Sequence, residues 1–170
     1  MPYSGILKQQ FAIIGNGSWS SALVKILTDN EQHVNWWMRS ETALKQLQET
    51  HHNPHYLSSV KFPLNQITLY NTLELCVENA EIILIGIPSA FIVETLSCLP
   101  KNIFKNKKIL SAIKGILPQQ NVLLNEYLKD EFSVSLLNYC CIAGPCHAEE
   151  IAGEKLSYLT FACEDISLSK

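Results

Sequence analysis

Five places in the sequence carry residue types that could do chemistry. The first is Gly15-Asn-Gly-Ser-Trp-Ser20, directly after the apolar run Phe11-Ala-Ile-Ile14. A glycine at 15 permits a tight exit from a strand, and a glycine at 17 lets an anion approach the backbone. A helix opening at Ser18 would aim free N–H groups and its positive dipole end at that anion. This is a turn suited to gripping a pyrophosphate, although Gly-x-Gly alone also fits a plain strand–helix bend. The third glycine of the dinucleotide fingerprint falls at Ser20, small enough to keep helix and strand close. The second place is Trp37-Met-Arg39. The fingerprint wants a carboxylate there for the ribose hydroxyls; a cation suits a 2′-phosphate instead, and also fits a solvated surface arginine.

The third place is Lys114, after the apolar run ending at Ile113. An ammonium at the carboxyl edge of a sheet can offset a phosphate or the charge developing on a carbonyl oxygen. The position alone equally fits a lysine pointing at water. The fourth is Gly144-Pro-Cys-His-Ala-Glu-Glu150, in which His147 has neither a sequence partner nor ligand spacing, and reads as a packed or half-exposed histidine. The fifth, His51-His-Asn-Pro-His55, looks like a metal cluster, but it lies in a polar loop without helical i, i+4 placement, so no metal is expected.

These residues must be positioned by elements that alternate along the chain. Apolar runs predict strands at 11–14, 33–37, 67–70, 82–85, 108–113, 139–143 and 157–162. Helical spacing predicts helices at 19–27, 41–49, 88–98, 118–129 and 147–152, and one capped by Asn71 and running to Glu78. The stretch from His51 to Asn65, with Pro54 and Pro63, reads as loop. Trp36 and Trp37 would alternate faces on a strand, placing at least one in the core. The order predicts an α/β fold of the doubly wound Rossmann type: a mainly parallel sheet with helices on both faces and right-handed crossovers.

Bulk composition narrows the function. The chain has 170 residues, 47% of them apolar and 17% charged, enough for one domain with a proper core. The net charge of −3 gives no footprint for nucleic acid. The longest apolar run, Ile82–Ile87, is far too short to cross a bilayer. Met1-Pro-Tyr-Ser-Gly shows no secretory pattern, and the six cysteines form neither a Cys-x-x-Cys pair nor a zinc spacing. Reduced thiols in a cytoplasm are the expectation.

Several short segments, in order from residue 11 to about 162, then add up to a family. Gly15-Asn-Gly-Ser-Trp-Ser-Ser-Ala-Leu23, Trp37-Met-Arg39, Asn53-Pro-His-Tyr-Leu57, Ile87-Pro-Ser89, Lys114-Gly-Ile116 and Gly144-Pro-Cys-His-Ala-Glu-Glu150 resemble the cofactor-binding half of the bacterial NAD(P)-dependent glycerol-3-phosphate dehydrogenases. The resemblance implies reduction of dihydroxyacetone phosphate to sn-glycerol 3-phosphate with NADH or NADPH and no metal, feeding glycerophospholipid synthesis. It implies cofactor contacts at Gly15, Gly17, Ser18, Trp19, Arg39, Tyr56, Pro88, Lys114 and Ala148, with Arg39 and Tyr56 near the adenosine end. It implies substrate contacts at Lys114, Gly144 and Cys146. Glu150 matches the family's acidic position, though a solvated helix carboxylate reads equally well. Ser20, Cys146 and His147 depart from the family pattern; a thiol at 146 is a poorer donor than the usual hydroxyl.

The family's proton-transfer lysine belongs to a Lys-Asn motif in a second, helical domain, and no fitting Lys-Asn occurs here. Residues 1–170 are therefore expected to form a single cofactor domain without that catalytic domain, and full-length members to form homodimers. Competing readings are a non-catalytic nucleotide-sensing module and a ketopantoate reductase, which should lack the Gly-Pro-x-x-Ala-x-Glu segment. A methyltransferase would want a carboxylate where Arg39 stands.

Overall fold

Short runs of Val, Ile and Trp can be buried on both faces only in a sheet covered on both sides. That is where the computed structural model, which describes residues 10–169, places them. Seven strands form one sheet: β1 (Phe11–Ile14), β2 (Val34–Trp37), β3 (Ile67–Tyr70), β4 (Ile82–Ile85), β5 (Lys108–Ser111), β6 (Tyr139–Ala143) and β7 (Thr160–Cys163). Their order is β3-β2-β1-β4-β5-β6-β7. All neighbours pair in parallel except β7, which closes one edge antiparallel to β6. The helices are α1 (Ser18–Asp29), α2 (Glu41–Thr50), α3 (Leu73–Glu78), α4 (Ile92–Leu96), α5 (Leu124–Phe132) and α6 (Ala148–Ala152).

The period-2 alternation of the strands sorts the core into two layers. Ile13, Val34, Trp36 and Leu84 face α1 and α2. Ala12, Ile14, Trp37, Ile83, Ile85 and Ile109 face α3, α4 and α5. Both tryptophans are buried, and each indole N–H reaches a carbonyl at the carboxyl edge of the sheet. Trp36 Nε1 donates to Gly15 O at 2.7 Å and Trp37 Nε1 to Asn71 O at 3.1 Å. The strand order reverses between β1 and β4, so the crevice of a doubly wound sheet opens there, beside Gly15 and Gly86.

Several details differ from the sequence reading, among them the edge strand, read at 157–162 and found at Thr160–Cys163, and the helix read at 88–98, whose α-helical part is Ile92–Leu96. Residues 118–121 are not helix. Leu117 and Val122 pair as an antiparallel bridge around a turn in which Asn121 takes φ 55°, and α5 starts at Leu124. Its start is fixed by Glu126, whose carboxylate accepts the Leu123 N–H at 2.8 Å. Asn71 does not cap α3; that position is Thr72. The 51–65 loop is not merely surface: Val60 and Phe62 are buried, and the Phe62 ring lies 5.0 Å from that of Trp36. The six cysteines are free thiols, and burial pushes Cys76 up to about 12 and Cys140 to about 11, which keeps both unreactive near neutrality. Among the described residues no helix is long and apolar enough to cross a membrane. The Met1–Gly5 stretch read for a secretory pattern lies outside the described residues.

A close contact between α1 and the turn after β4 runs through the departure at Ser20. Its hydroxyl donates to Gly86 O at 2.8 Å, and a Cβ on Gly86 would stand 2.3 Å from Ser20 Oγ. Serine at 20 thus requires glycine at 86. Gly86→Ala should cost about 1–3 kcal/mol in chemical denaturation, and Ser20→Gly in the same chain should recover most of that loss. Additive losses in the double variant would contradict this packing.

Candidate functional site

A cleft of about 550 Å³ opens at the carboxyl edge of the sheet. It is bounded by the first turn of α1, the turn after β4, the ends of β5 and β6, and the start of α6. The structure brings Gly17, Ser18, Trp19, Tyr56, Pro88, Lys114, Gly144, Cys146 and Ala148 together on its walls. Gly15 lies just beneath, buried in the turn.

The glycines divide by what demands them. Gly15 has φ +117°, and a Cβ there would meet Ile87 Cγ2 at 2.7 Å, so the fold itself excludes a side chain. Gly144 has φ +144°, and a Cβ would meet Tyr158 O at 2.3 Å. Gly17 is different. Its φ of −67° and ψ of 176° suit any residue, and a Cβ would meet nothing within 4 Å. Packing gives no reason for glycine at 17; an approaching ligand does.

Above that open space stands the N-terminus of α1. No side chain caps it, and its first turn contains no acidic residue. The first intrahelical bond is Ser21 N–H to Gly17 O at 2.9 Å, so the N–H groups of Ser18, Trp19 and Ser20 have no helical acceptor. These donors and the helix dipole could hold an anion, such as a pyrophosphate, above Gly17.

Lys114 is the one lysine or arginine lining the cleft, exposed two residues past the buried Ala112. Among the described residues it forms no ion pair or hydrogen bond, so its ammonium is free to meet an anion. Glu149, rather than Glu150, contributes the lining carboxylate. His147, read as packed or half-exposed, is exposed on the cleft wall at the N-cap of α6. Cys146 is buried against Ala22, Ala148 and Ile151, with Sγ 3.8 Å from Gly144 O.

Arg39 is not in this cleft. It lines a separate depression of about 240 Å³ with Trp37, Asn71, Leu73, Glu94, Thr95 and Cys98. Tyr56, grouped with Arg39 in the sequence reading, lines the main cleft. Among the described residues no group of three or more His, Cys, Asp or Glu is placed to hold an ion.

One residue that supports the site entered the sequence reading only as part of a motif, with no role of its own. Asn53 is fully buried, and its amide is used on both sides. Nδ2 donates to Asn16 O and to Ser21 Oγ, both at 2.9 Å. Oδ1 accepts the N–H of His55 at 3.1 Å and of Tyr56 at 3.3 Å. Asn53 therefore fastens the glycine turn to the loop that carries Tyr56. The Asn-x-x-Tyr-Leu spacing was the available signal, but it did not say that the asparagine points inward.

Two substitutions separate ligand approach from architecture. Gly17→Ala should leave stability within about 1 kcal/mol, because the backbone is permissive and the space empty, yet weaken a bound dinucleotide more than about tenfold. Asn53→Ala should instead lower stability by about 1–3 kcal/mol, since it strands buried acceptors. Urea denaturation and fluorescence titration with NADH report both.

Residues 10–169 match the family described as the NAD-dependent glycerol-3-phosphate dehydrogenase N-terminus. A glycerol-3-phosphate dehydrogenase [NAD(P)+] of Limosilactobacillus reuteri is 29% identical over 168 residues, covering 96% of this chain and 49% of the relative. That of Oceanobacillus iheyensis is 32% identical over 144 residues, 85% of this chain and 41% of the relative. The crystal structure of the Coxiella burnetii glycerol-3-phosphate dehydrogenase superposes with a TM-score of 0.85 at 27% identity, covering 95% of this chain and 49% of that one. The chain thus spans about half the length of the curated relatives it matches. With its switch-point cleft and glycine turn, the chain belongs to the NAD-dependent glycerol-3-phosphate dehydrogenase N-terminal family.

Proposed function

We propose that this chain is the cofactor-binding half of an NAD(P)-dependent sn-glycerol-3-phosphate dehydrogenase. The observation that carries the reading is Gly17: a glycine the fold does not need, beneath an uncapped helix N-terminus at the switch point of the sheet. When bound, the nicotinamide cofactor would supply or accept the hydride exchanged with dihydroxyacetone phosphate and sn-glycerol 3-phosphate.

The residues would divide the remaining work. The N–H groups of Ser18, Trp19 and Ser20 take the pyrophosphate charge. Pro88 and Ala148, on facing walls, shape the nicotinamide end. Lys114 pairs with the substrate phosphate or with charge growing on the reacting oxygen. Gly144 and Cys146 border the substrate, and Arg39 reads the adenosine end. One ammonium cannot both hold a phosphate and hand over a proton, so turnover calls for a further proton-handling group. The family setting comes with this reading: a cytoplasmic enzyme, homodimeric at full length, supplying glycerol phosphate for phospholipid synthesis.

NADH and NADPH titrations followed by nicotinamide fluorescence test the reading. Saturable binding is expected, with Arg39→Asp weakening NADPH more than NADH, and no measurable reduction of dihydroxyacetone phosphate by this chain alone. Absence of binding by either cofactor would refute the cofactor role; turnover by the isolated chain would refute the need for a second proton-handling group.

A further inference from the structure

The dinucleotide fingerprint normally ends its second strand with a carboxylate that accepts the ribose hydroxyls. Here β2 ends at Trp37, and the residue that follows at the same edge is Arg39. The carboxylate is missing from the sequence position but not from the space. Glu94, on α4 across the crevice from β2, places Oε1 2.8 Å from Arg39 Nη2. Both side chains line the depression that also includes Trp37, Asn71, Leu73, Thr95 and Cys98.

Resting on the cofactor reading above, we propose that Glu94 is the residue that discriminates at the ribose 2′ position. It supplies from the helix after β4 the acceptor that β2 lacks. Two physical effects then act on the cofactor. A ribose 2′-hydroxyl can donate to the Glu94 carboxylate without disturbing Arg39. A 2′-phosphate must displace Glu94 from Arg39 and then sit beside a like charge. Arg39 taken alone points to NADPH; Arg39 held by Glu94 favours NADH, with NADPH still tolerated.

The pair is open to solvent, with side chains 65% and 62% exposed. Screening therefore keeps its influence modest, and its substitution spares the core. This is the regime of a selectivity adjustment rather than an absolute filter. It also makes the variant simple to interpret, because Glu94→Gln keeps size and an acceptor oxygen while removing the charge.

The test is the ratio of NADH to NADPH dissociation constants for the wild-type chain and for Glu94→Gln, by fluorescence titration at low ionic strength. Circular dichroism and thermal melting confirm that the variant stays folded. The expected result is a shift of the ratio toward NADPH by about five- to tenfold, the size of one screened charge pair, shrinking in high salt. A ratio unchanged within about twofold, in a wild-type chain that binds cofactor, would overturn the role of Glu94 and leave the cofactor reading intact. A wild-type chain that binds neither cofactor would overturn both.

Discussion

The site depends on one asymmetry in the backbone around Gly15–Ser20. Neighbours hold one side of the turn. Trp36 takes the carbonyl of Gly15, Trp37 O accepts the Gly15 N–H, and Asn53 takes the carbonyl of Asn16. The other side, the first N–H groups of α1, finds no acceptor among the described residues. Buried polar groups tolerate such neglect poorly, so a protein that secures every carbonyl of a turn while leaving its donors open is presenting those donors to something. The cleft, the switch point and the position of Lys114 all follow from where that turn can be held.

Holding it takes residues from three separate stretches of chain. β2 contributes the Trp36 indole and the Trp37 carbonyl, the segment after β4 contributes Gly86, and the 51–65 loop contributes Asn53. Each carries part of the cost of bringing α1 close to the sheet. Ser20 shows how tightly the parts are matched. Its hydroxyl fills the gap that a glycine would leave and finds an acceptor in doing so. The departure from the usual fingerprint is thus matched by a hydrogen bond that a glycine could not make.

Much of this was legible in the sequence. The strands came through because Phe11–Ile14 and Ile82–Ile85 are apolar throughout and Val34–Trp37 nearly so, short runs bounded by turn residues that suit buried strands. The glycine turn, the Lys114 edge and the Gly144–Ala148 segment could be named from short motifs, and they do line one cleft. What did not come through was set by contacts distant in sequence. Nothing local marks Asn53 as a buried hub or Phe62 as the partner of Trp36. Pro118 opens a tight turn rather than a helix because Leu117 is buried and Val122 comes back to pair with it. Tyr56 and Arg39 were grouped by family pattern, and they line two depressions of the same surface.

The antiparallel edge strand has a consequence for motion. β7 buries little: Thr160, Phe161 and Ala162 are exposed, and Tyr158 before it is 69% exposed. A strand with so few buried contacts belongs to the part of the molecule that opens at low free-energy cost. Yet the main chain at Tyr158 rests directly on Gly144, which forms a wall of the cleft. Loosening of the sheet edge would therefore be felt at that wall. A ligand that fixed the wall would give up part of its binding energy to still the edge strand, and amide exchange along β7 would then be a distant gauge of occupancy.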